Sequence, residues 1–229
     1  MTLLYLSPHY DDICFSLGMT AQRRGGGRLV NVFTMSNYLD GKLAPVEQVT
    51  PIRDAEDRAF AEACGLERHN LGLPEATVEG LHPFDLAGIE KEVDALEQPL
   101  IGLLRDLAPS KIYCPLGVGR HRNHLSVFLA VVKSFAALRE KSTIYFYEDL
   151  PYASSPAPRM EALKRFAYYF PNNSVSRQAT ILKPDDMAKK MALVGLYKSQ
   201  HPGGVKQEEF SPADPQTPFP HEGYWEVHR

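Results

Sequence analysis

The chain is short of the residues that mark several common classes of protein. Its 229 residues hold only three cysteines, Cys14, Cys64 and Cys114. The number is odd and none forms a Cys-x-x-Cys pair, which argues against a disulfide framework or a thiolate zinc knuckle and fits a reducing cytoplasm. No apolar run approaches the roughly 20 residues that span a bilayer. The first residues carry no basic leader, apolar signal core or small-residue cleavage site. A cytoplasmic protein without integral membrane association is therefore expected. Neither sign of charge dominates, since 25 Lys and Arg against 28 Asp and Glu leave a formal net charge of -3. That balance offers no electrostatic footprint for nucleic acid. No Gly-x-Gly-x-x-Gly fingerprint follows the first apolar run, which argues against a dinucleotide or methyl-donor binder.

What is present suffices for a packed core. With 44% hydrophobic and 23% charged residues, one α/β domain over 1–229 needs no crosslinks. The segment 201–229, crowded at first with Pro, Gly and Glu, reads as a loop-rich tail. Compact apolar runs predict strands at 2–6, 28–35, 66–73, 111–114, 143–147 and 178–182. Apolar residues at helical spacing predict helices over 13–22, 84–107 with a break at Pro99, 121–138 and 184–197. Thr50 and Pro51 supply an N-cap and a first-turn proline for a further helix through Cys64, which Gly65 stops. Polar residues 36–50 predict a long loop, a candidate active-site wall. Strands alternating with helices predict an α/β, Rossmann-like, doubly wound and mainly parallel sheet with helices on both faces.

Two clusters carry chemistry. Ser7-Pro8-His9-Tyr10-Asp11-Asp12 follows the first strand, and Gly119-Arg120-His121-Arg122-Asn123-His124 follows the strand at 111–114. In open α/β sheets ligands gather at the carboxyl ends of strands. His9 and Asp12, three apart at a strand-to-helix junction, can turn toward one ion while Asp11 reaches a water beside it. His121 and His124 are also three apart and share a face if both enter a helical turn, one binding metal and the other facing substrate. Imidazole nitrogen and carboxylate oxygen are zinc donors, and a catalytic site leaves a position open for water. Alone, the first cluster is more often a turn with a capping aspartate, and the second a cap or a phosphate site. Together, behind two buried strands, they point to a hydrolytic metal site.

These residues resemble the LmbE-like or PIG-L zinc-dependent N-deacetylases, whose signatures are a His-Pro-Asp-Asp-Glu box after the first strand and a His-Pro-Asp-His box near mid-chain. Further segments are similar in the same order. Arg53-Asp54-Ala55-Glu56 resembles the family's Arg-x-x-Glu helix, and Leu71-Gly72-Leu73-Pro74-Glu75 its Leu-Pro-Asp segment. Leu103 to Pro109 leads into the second strand as in the family, and Tyr197-Lys198-Ser199-Gln200 resembles its terminal Tyr-x-Ser-Gln. The resemblance implies the LmbE-like fold and a hydrolase that removes an N-acetyl or other N-acyl group from an amino sugar or sugar conjugate. It implies Zn2+, or another divalent transition metal, on His9, Asp12 and His124, with Asp11 as general base. It also implies that a cationic His121 stabilises the oxyanion or protonates the leaving amine, and that Arg53 contacts the substrate. The implied partner is a small-molecule N-acylated sugar; the sequence leaves oligomeric state open.

The boxes depart from the family at three positions. Tyr10 stands for proline, Ile13 for glutamate, and Asn123 for the aspartate of the second box. Asn123 is expected behind the ligands; if it touches His121, a neutral amide there lowers the imidazole's pKa relative to aspartate. The alternative reading is a catalytically impaired member that acts as a metal- or sugar-binding module, against which the retention of Asp11 argues. Cys14 reads as core, Arg120 and Arg122 as solvated or as a clamp for an anionic substrate group, and Tyr145 and Tyr147 as sheet packing. Tyr152 is a candidate to stack on a sugar ring. His69, His82, His201, His221 and His228 lack partners at ligand spacing and read as surface residues.

Overall fold

The computed structural model describes residues 2–171, 175–201 and 206–228. Its first strand, β1 (Leu3–Ser7), is apolar and buried from Leu4 onward, as a parallel strand covered on both faces must be. Helix α1 (Asp12–Arg24) returns the chain to β2 (Arg28–Met35). A small hairpin, β3 (Tyr38–Leu39) and β4 (Lys42–Leu43), precedes α2 (Val46–Cys64) and β5 (Glu67–Pro74). After α3 (Ile89–Leu96), a π-turn (Glu97–Ile101) and α4 (Gly102–Leu107) comes β6 (Lys111–Pro115). The chain continues through α5 (Arg122–Lys133), α6 (Phe135–Leu138), β7 (Thr143–Tyr147), α7 (Pro156–Tyr169), β8 (Val175–Ile181), α8 (Pro184–Val194) and β9 (His221–Val227).

Seven strands form one sheet in the order β5-β2-β1-β6-β7-β9-β8. The first five are parallel, β9 runs antiparallel to β7, and β8 antiparallel to β9. This is the expected mainly parallel α/β sheet. From β1 the chain moves outward one way to β2 and β5, and later the other way from β6 to β7, so the winding reverses between β1 and β6. A crevice opens at the strand ends where such a reversal occurs. Tyr5, Tyr113 and Tyr145 stack across β1, β6 and β7 with ring centroids 5.1 and 4.7 Å apart, each pair worth about 1 kcal/mol beyond its buried area. Among the described residues, no helix is long and apolar enough to cross a membrane.

Several elements differ from their sequence expectation for physical reasons. The expected long loop at 36–50 contains the hairpin and the first turn of α2, which closes on the Pro45 carbonyl through Gln48 N and Val49 N. Pro51 therefore lies inside the helix, and the carbonyl it leaves without its helical partner belongs to Glu47, which is exposed to solvent. Thr50 does not cap; its hydroxyl exchanges hydrogen bonds with the backbone of Ser36. Gly65 does stop α2, at φ 64° and ψ 35°. The helix expected from residue 84 begins only at Ile89, because Gly88 turns left-handed at φ 67° and the Asp85 and Ala87 carbonyls are held by Arg122. The expected break at Pro99 is the π-turn. Helix α7 was not expected at all, and the tail expected as loop over 201–229 supplies a strand, β9, inside the sheet.

A candidate metal centre at the reversal of the sheet

The chain leaves β1 through a tight turn. Ser7 Oγ donates to the His9 carbonyl at 2.5 Å and accepts from Ile13 N at 3.3 Å. One Asp12 oxygen, Oδ2, accepts from His9 N at 2.7 Å, so the aspartate closes the turn as well as facing the crevice. His9 Nδ1 lies 3.5 Å from Asp12 Oδ2. On the other side of the reversal, β6 runs into a turn, Val118–Arg120, in which Gly119 adopts φ 81°. A Cβ there would stand 2.5 Å from the ring of Tyr152, so only glycine fits. His121 follows outside the helix as the N-cap of α5 (φ -59°, ψ 128°), while His124 occupies its first turn.

His124 Nε2 lies 3.2 Å from Asp12 Oδ1 and 3.3 Å from His9 Nδ1. Two nitrogens and a carboxylate thus converge on one point from the ends of β1 and β6. Their outer atoms are fixed by neighbours. Asn123 Oδ1 accepts from Ala76 N at 3.2 Å and lies 3.1 Å from His9 Nε2, so that nitrogen carries the hydrogen and Nδ1 keeps its lone pair for the crevice. His124 Nδ1 donates to Asp149 Oδ1 at 2.8 Å, and Val118 N donates to Asp149 Oδ2 at 3.0 Å. Buried imidazole and carboxylate groups in this arrangement are zinc-type donors.

Asp11 stands beside them, and its Oδ1 takes a hydrogen bond from Arg53 Nη2 at 3.3 Å. Arg53 is buried; its Nη1 donates to Glu75 Oε1 at 2.5 Å and Ser36 Oγ at 2.7 Å. Burial pushes the Asp11 carboxyl above the usual carboxylate range, with Arg53 opposing. Burial would raise Asp12 too, but His124 and then His9 hold it low. His124 is lowered by burial yet pushed up to about 10 by Asp12 and Asp149. His121 is driven well below the usual imidazole range by burial, then by His9, His124 and Arg53. Among the described residues its buried Nδ1 finds no hydrogen-bond partner. A cationic His121 was expected; burial and a neighbourhood of imidazoles and a guanidinium disfavour that charge.

These groups line a cavity of about 270 Å³, walled by Tyr38, Pro83, Phe84, Tyr152 and Gln200. His9, Asp11, Asp12, Arg53, His121, Asn123 and His124 all border it. The family model described as PIG-L, GlcNAc-PI de-N-acetylase, matches residues 4–135. The chain belongs to the PIG-L family. It is 31% identical to the 2'-N-acetylparomamine deacetylase of Streptomyces fradiae over 161 residues, 66% of this chain and 57% of that protein, so it spans little more than half the relative's length. Its fold is similar to that of a deacetylase of teicoplanin biosynthesis (TM-score 0.77, 18% identity, 100% of this chain and 98% of that one). It is also similar to the A40926 pseudoaglycone deacetylase (TM-score 0.68, 20% identity, 100% and 97%).

The departures of this PIG-L chain from its family boxes now have locations. Tyr10 packs into the core, its hydroxyl 3.4 Å from Asp54 and its carbonyl accepting from Tyr197 at 3.0 Å. Ile13 is fully buried. Asn123 contacts His9 and not His121, so the expected effect of its amide on the His121 pKa lacks its premise. The Arg-x-x-Glu and Tyr-x-Ser-Gln segments meet, as Glu56 accepts from Ser199 N at 2.8 Å and Ser199 Oγ at 2.5 Å. Arg122 is no anion clamp; it is buried on Glu92 and two carbonyls, whereas Arg120 is exposed beside Glu161. Tyr145 and Tyr147 pack in the sheet, while Tyr152 faces the cavity. His221, expected at the surface, is buried, accepting from Arg177 Nη2 at 2.7 Å and donating to the Phe219 carbonyl. Sequence reasoning missed Asp149 and Glu75. Both are acids just beyond a strand, at the ends of β7 and β5, the position that already singled out His9.

Proposed function

We propose that this protein is a zinc-dependent hydrolase that removes an N-acetyl group from an amino sugar or sugar conjugate. The observation that carries the reading is the approach of His9 Nδ1 to Asp12 Oδ2 at 3.5 Å and of His124 Nε2 to Asp12 Oδ1 at 3.2 Å and to His9 Nδ1 at 3.3 Å, in a cavity that Asp11 and His121 also line. A zinc ion on these three side chains would polarise the acyl carbonyl and lower the pKa of a water. Asp11, free of the ligand set, accepts the proton of the attacking water and delivers it to the departing nitrogen. Arg53 fixes the Asp11 carboxylate in place through Nη2 while Glu75 and Ser36 fix Arg53. His121, uncharged, donates a hydrogen bond from one ring nitrogen to the acyl oxygen as charge builds there. Tyr38, Phe84 and Tyr152 offer aromatic faces on which a sugar ring can lie. At about 270 Å³ the cavity is at the lower end for small-molecule sites and suits one sugar residue, with any conjugate extending outside.

Purified protein is expected to hold one zinc and to release acetate from members of a panel of N-acetylated amino sugars and aminoglycosides. Asp11→Asn should keep the zinc and lose about 100- to 10,000-fold in turnover. Stoichiometric zinc with no turnover on any member of the panel would favour the binding-module reading. Asp11→Asn with wild-type turnover would remove Asp11 from the mechanism.

A further inference from the structure

We propose that Glu92, on α3, is a positioning residue for metal uptake, acting through the side-chain amide of Asn123 to hold His9 in the tautomer that can bind a metal. The inference rests on the reading of His9 as a ligand. Asn123 is an amide with two unlike ends, and each end meets a group that permits only one orientation. Ala76 N can only donate, and it points at one end at 3.2 Å. Glu92 Oε1 can only accept, and it faces the other end at 3.2 Å. The amide oxygen must therefore face Ala76 and His9, and the NH2 group must face Glu92. His9 Nε2, 3.1 Å from that oxygen, has to carry its hydrogen, which leaves Nδ1 unprotonated toward Asp12 and His124.

Glu92 is itself fixed. Arg122 Nε donates to Oε2 at 2.5 Å and Ser126 Oγ to Oε1 at 2.6 Å. The same Arg122 holds the Asp85 and Ala87 carbonyls at 2.8 and 3.0 Å, binding the segment that carries Phe84 of the cavity wall. A carboxylate thus stands behind each of the two imidazoles read as ligands, His9 and His124. Asp149 touches His124 directly, whereas Glu92 reaches His9 through one intervening amide. In Glu92→Gln the new amide must turn its oxygen to Arg122, so its NH2 meets the NH2 of Asn123. Asn123 can relieve that clash only by tilting away or by reversing, which would turn its NH2 toward Ala76 N, and either move takes the amide oxygen from His9, which loses a firm acceptor. Adding Asn123→Asp restores an acceptor that satisfies His9, Ala76 and Gln-type NH2 together, with the original net charge.

The test is zinc affinity by chelator competition, alongside thermal unfolding and the ring-nitrogen NMR shifts of His9 in metal-free protein. Glu92→Gln is expected to weaken zinc binding about 10-fold, and Glu92→Gln with Asn123→Asp to recover to within about threefold of wild type. His9 should be protonated at Nε2 in wild type and the double variant, and mixed in Glu92→Gln. An equal deficit in both variants would mean that Glu92 merely holds Arg122, and would overturn the proposal. So would Nδ1-protonated His9 in wild type, a measurement that needs no variant to fold. Wild-type protein that takes up no zinc would overturn the metal reading itself, and this inference with it.

Discussion

At the scale of single residues, the site depends on groups that never touch a substrate. Asp149 shows how. It accepts the Nδ1 hydrogen of His124 and so aims Nε2 at Asp12 and His9. Between Asp12 and Asp149 the ring keeps a proton up to about 10, and that proton must leave before Nε2 can accept a metal. Asp149→Asn keeps a hydrogen-bond acceptor but removes the charge that makes the ring a strong donor. Zinc affinity should fall about 10-fold or more, read by chelator competition; unchanged affinity would show that Asp149 only ties Val118. Of the site, His9, Asp11, Asp12, His121 and His124 were legible because each falls in a short motif after a strand. Asp149 carried only its place just beyond a strand, and Glu92 carried no signal, because a lone acid within a helix is indistinguishable from a solvated one until the partner is in place.

At the scale of elements, α2 joins the sheet through a buried acid. Asp57 receives hydrogen bonds from Asn31 Nδ2 and Arg68 Nε, both at 2.7 Å, and Tyr197 Oη at 3.2 Å. Burial outweighs these partners and pushes its carboxyl up to about 6. An unfolded aspartate titrates near ~3.9, so the native state binds this proton more tightly. The contribution favours folding below the unfolded pKa and is lost as pH rises through the folded one. Relative to Asp57→Asn, wild type should therefore gain about 1 kcal/mol between pH 7 and pH 5. Denaturant unfolding of both proteins at the two pH values checks this; wild type losing stability relative to Asp57→Asn on acidification would reverse the assignment. The elements best read from sequence were the buried parallel strands, such as β2 and β7, whose predicted bounds coincide with those observed. The starts of α2 and α3 were read poorly, because Thr50 and residues 84–88 use their capping chemistry on distant groups, Ser36 and Arg122, whereas α1, α5 and α8 begin within one residue of expectation.

At the scale of the whole molecule, the last strand decides whether the sheet closes. Among the described residues β9 is the only strand paired with β8, and it covers the edge of β7. Its Glu222 accepts from Met19 N at 2.9 Å and Thr20 N at 2.7 Å, where α1 is interrupted at Leu17, and pairs with Lys190 Nζ at 2.9 Å. Both members of that pair are fully buried. Removing one partner of such a pair costs about 3 to 5 kcal/mol, a large part of the roughly 5 to 15 kcal/mol that holds a domain together. A chain ending at Pro220 should therefore lose its cooperative thermal transition. Phe219→Ala, at an exposed position beside the cut, should retain it. A cooperative melt in the shortened chain would show that β9 is dispensable.

The sequence by itself determined the order of the five parallel strands and of the helices between them, the turns that carry the two boxes and the residue types in those boxes, because these depend on local periodicity and on neighbours a few positions away. Only the tertiary structure decided that the winding reverses between β1 and β6, that Asn123 serves His9 and not His121, that His121 is buried among groups that disfavour its charge, and that residues 221–227 enter the sheet. Each of those depends on burial and on contacts between segments tens to hundreds of residues apart, such as His9 with Asn123 or Met19 with Glu222, and no local pattern encodes which distant group will arrive.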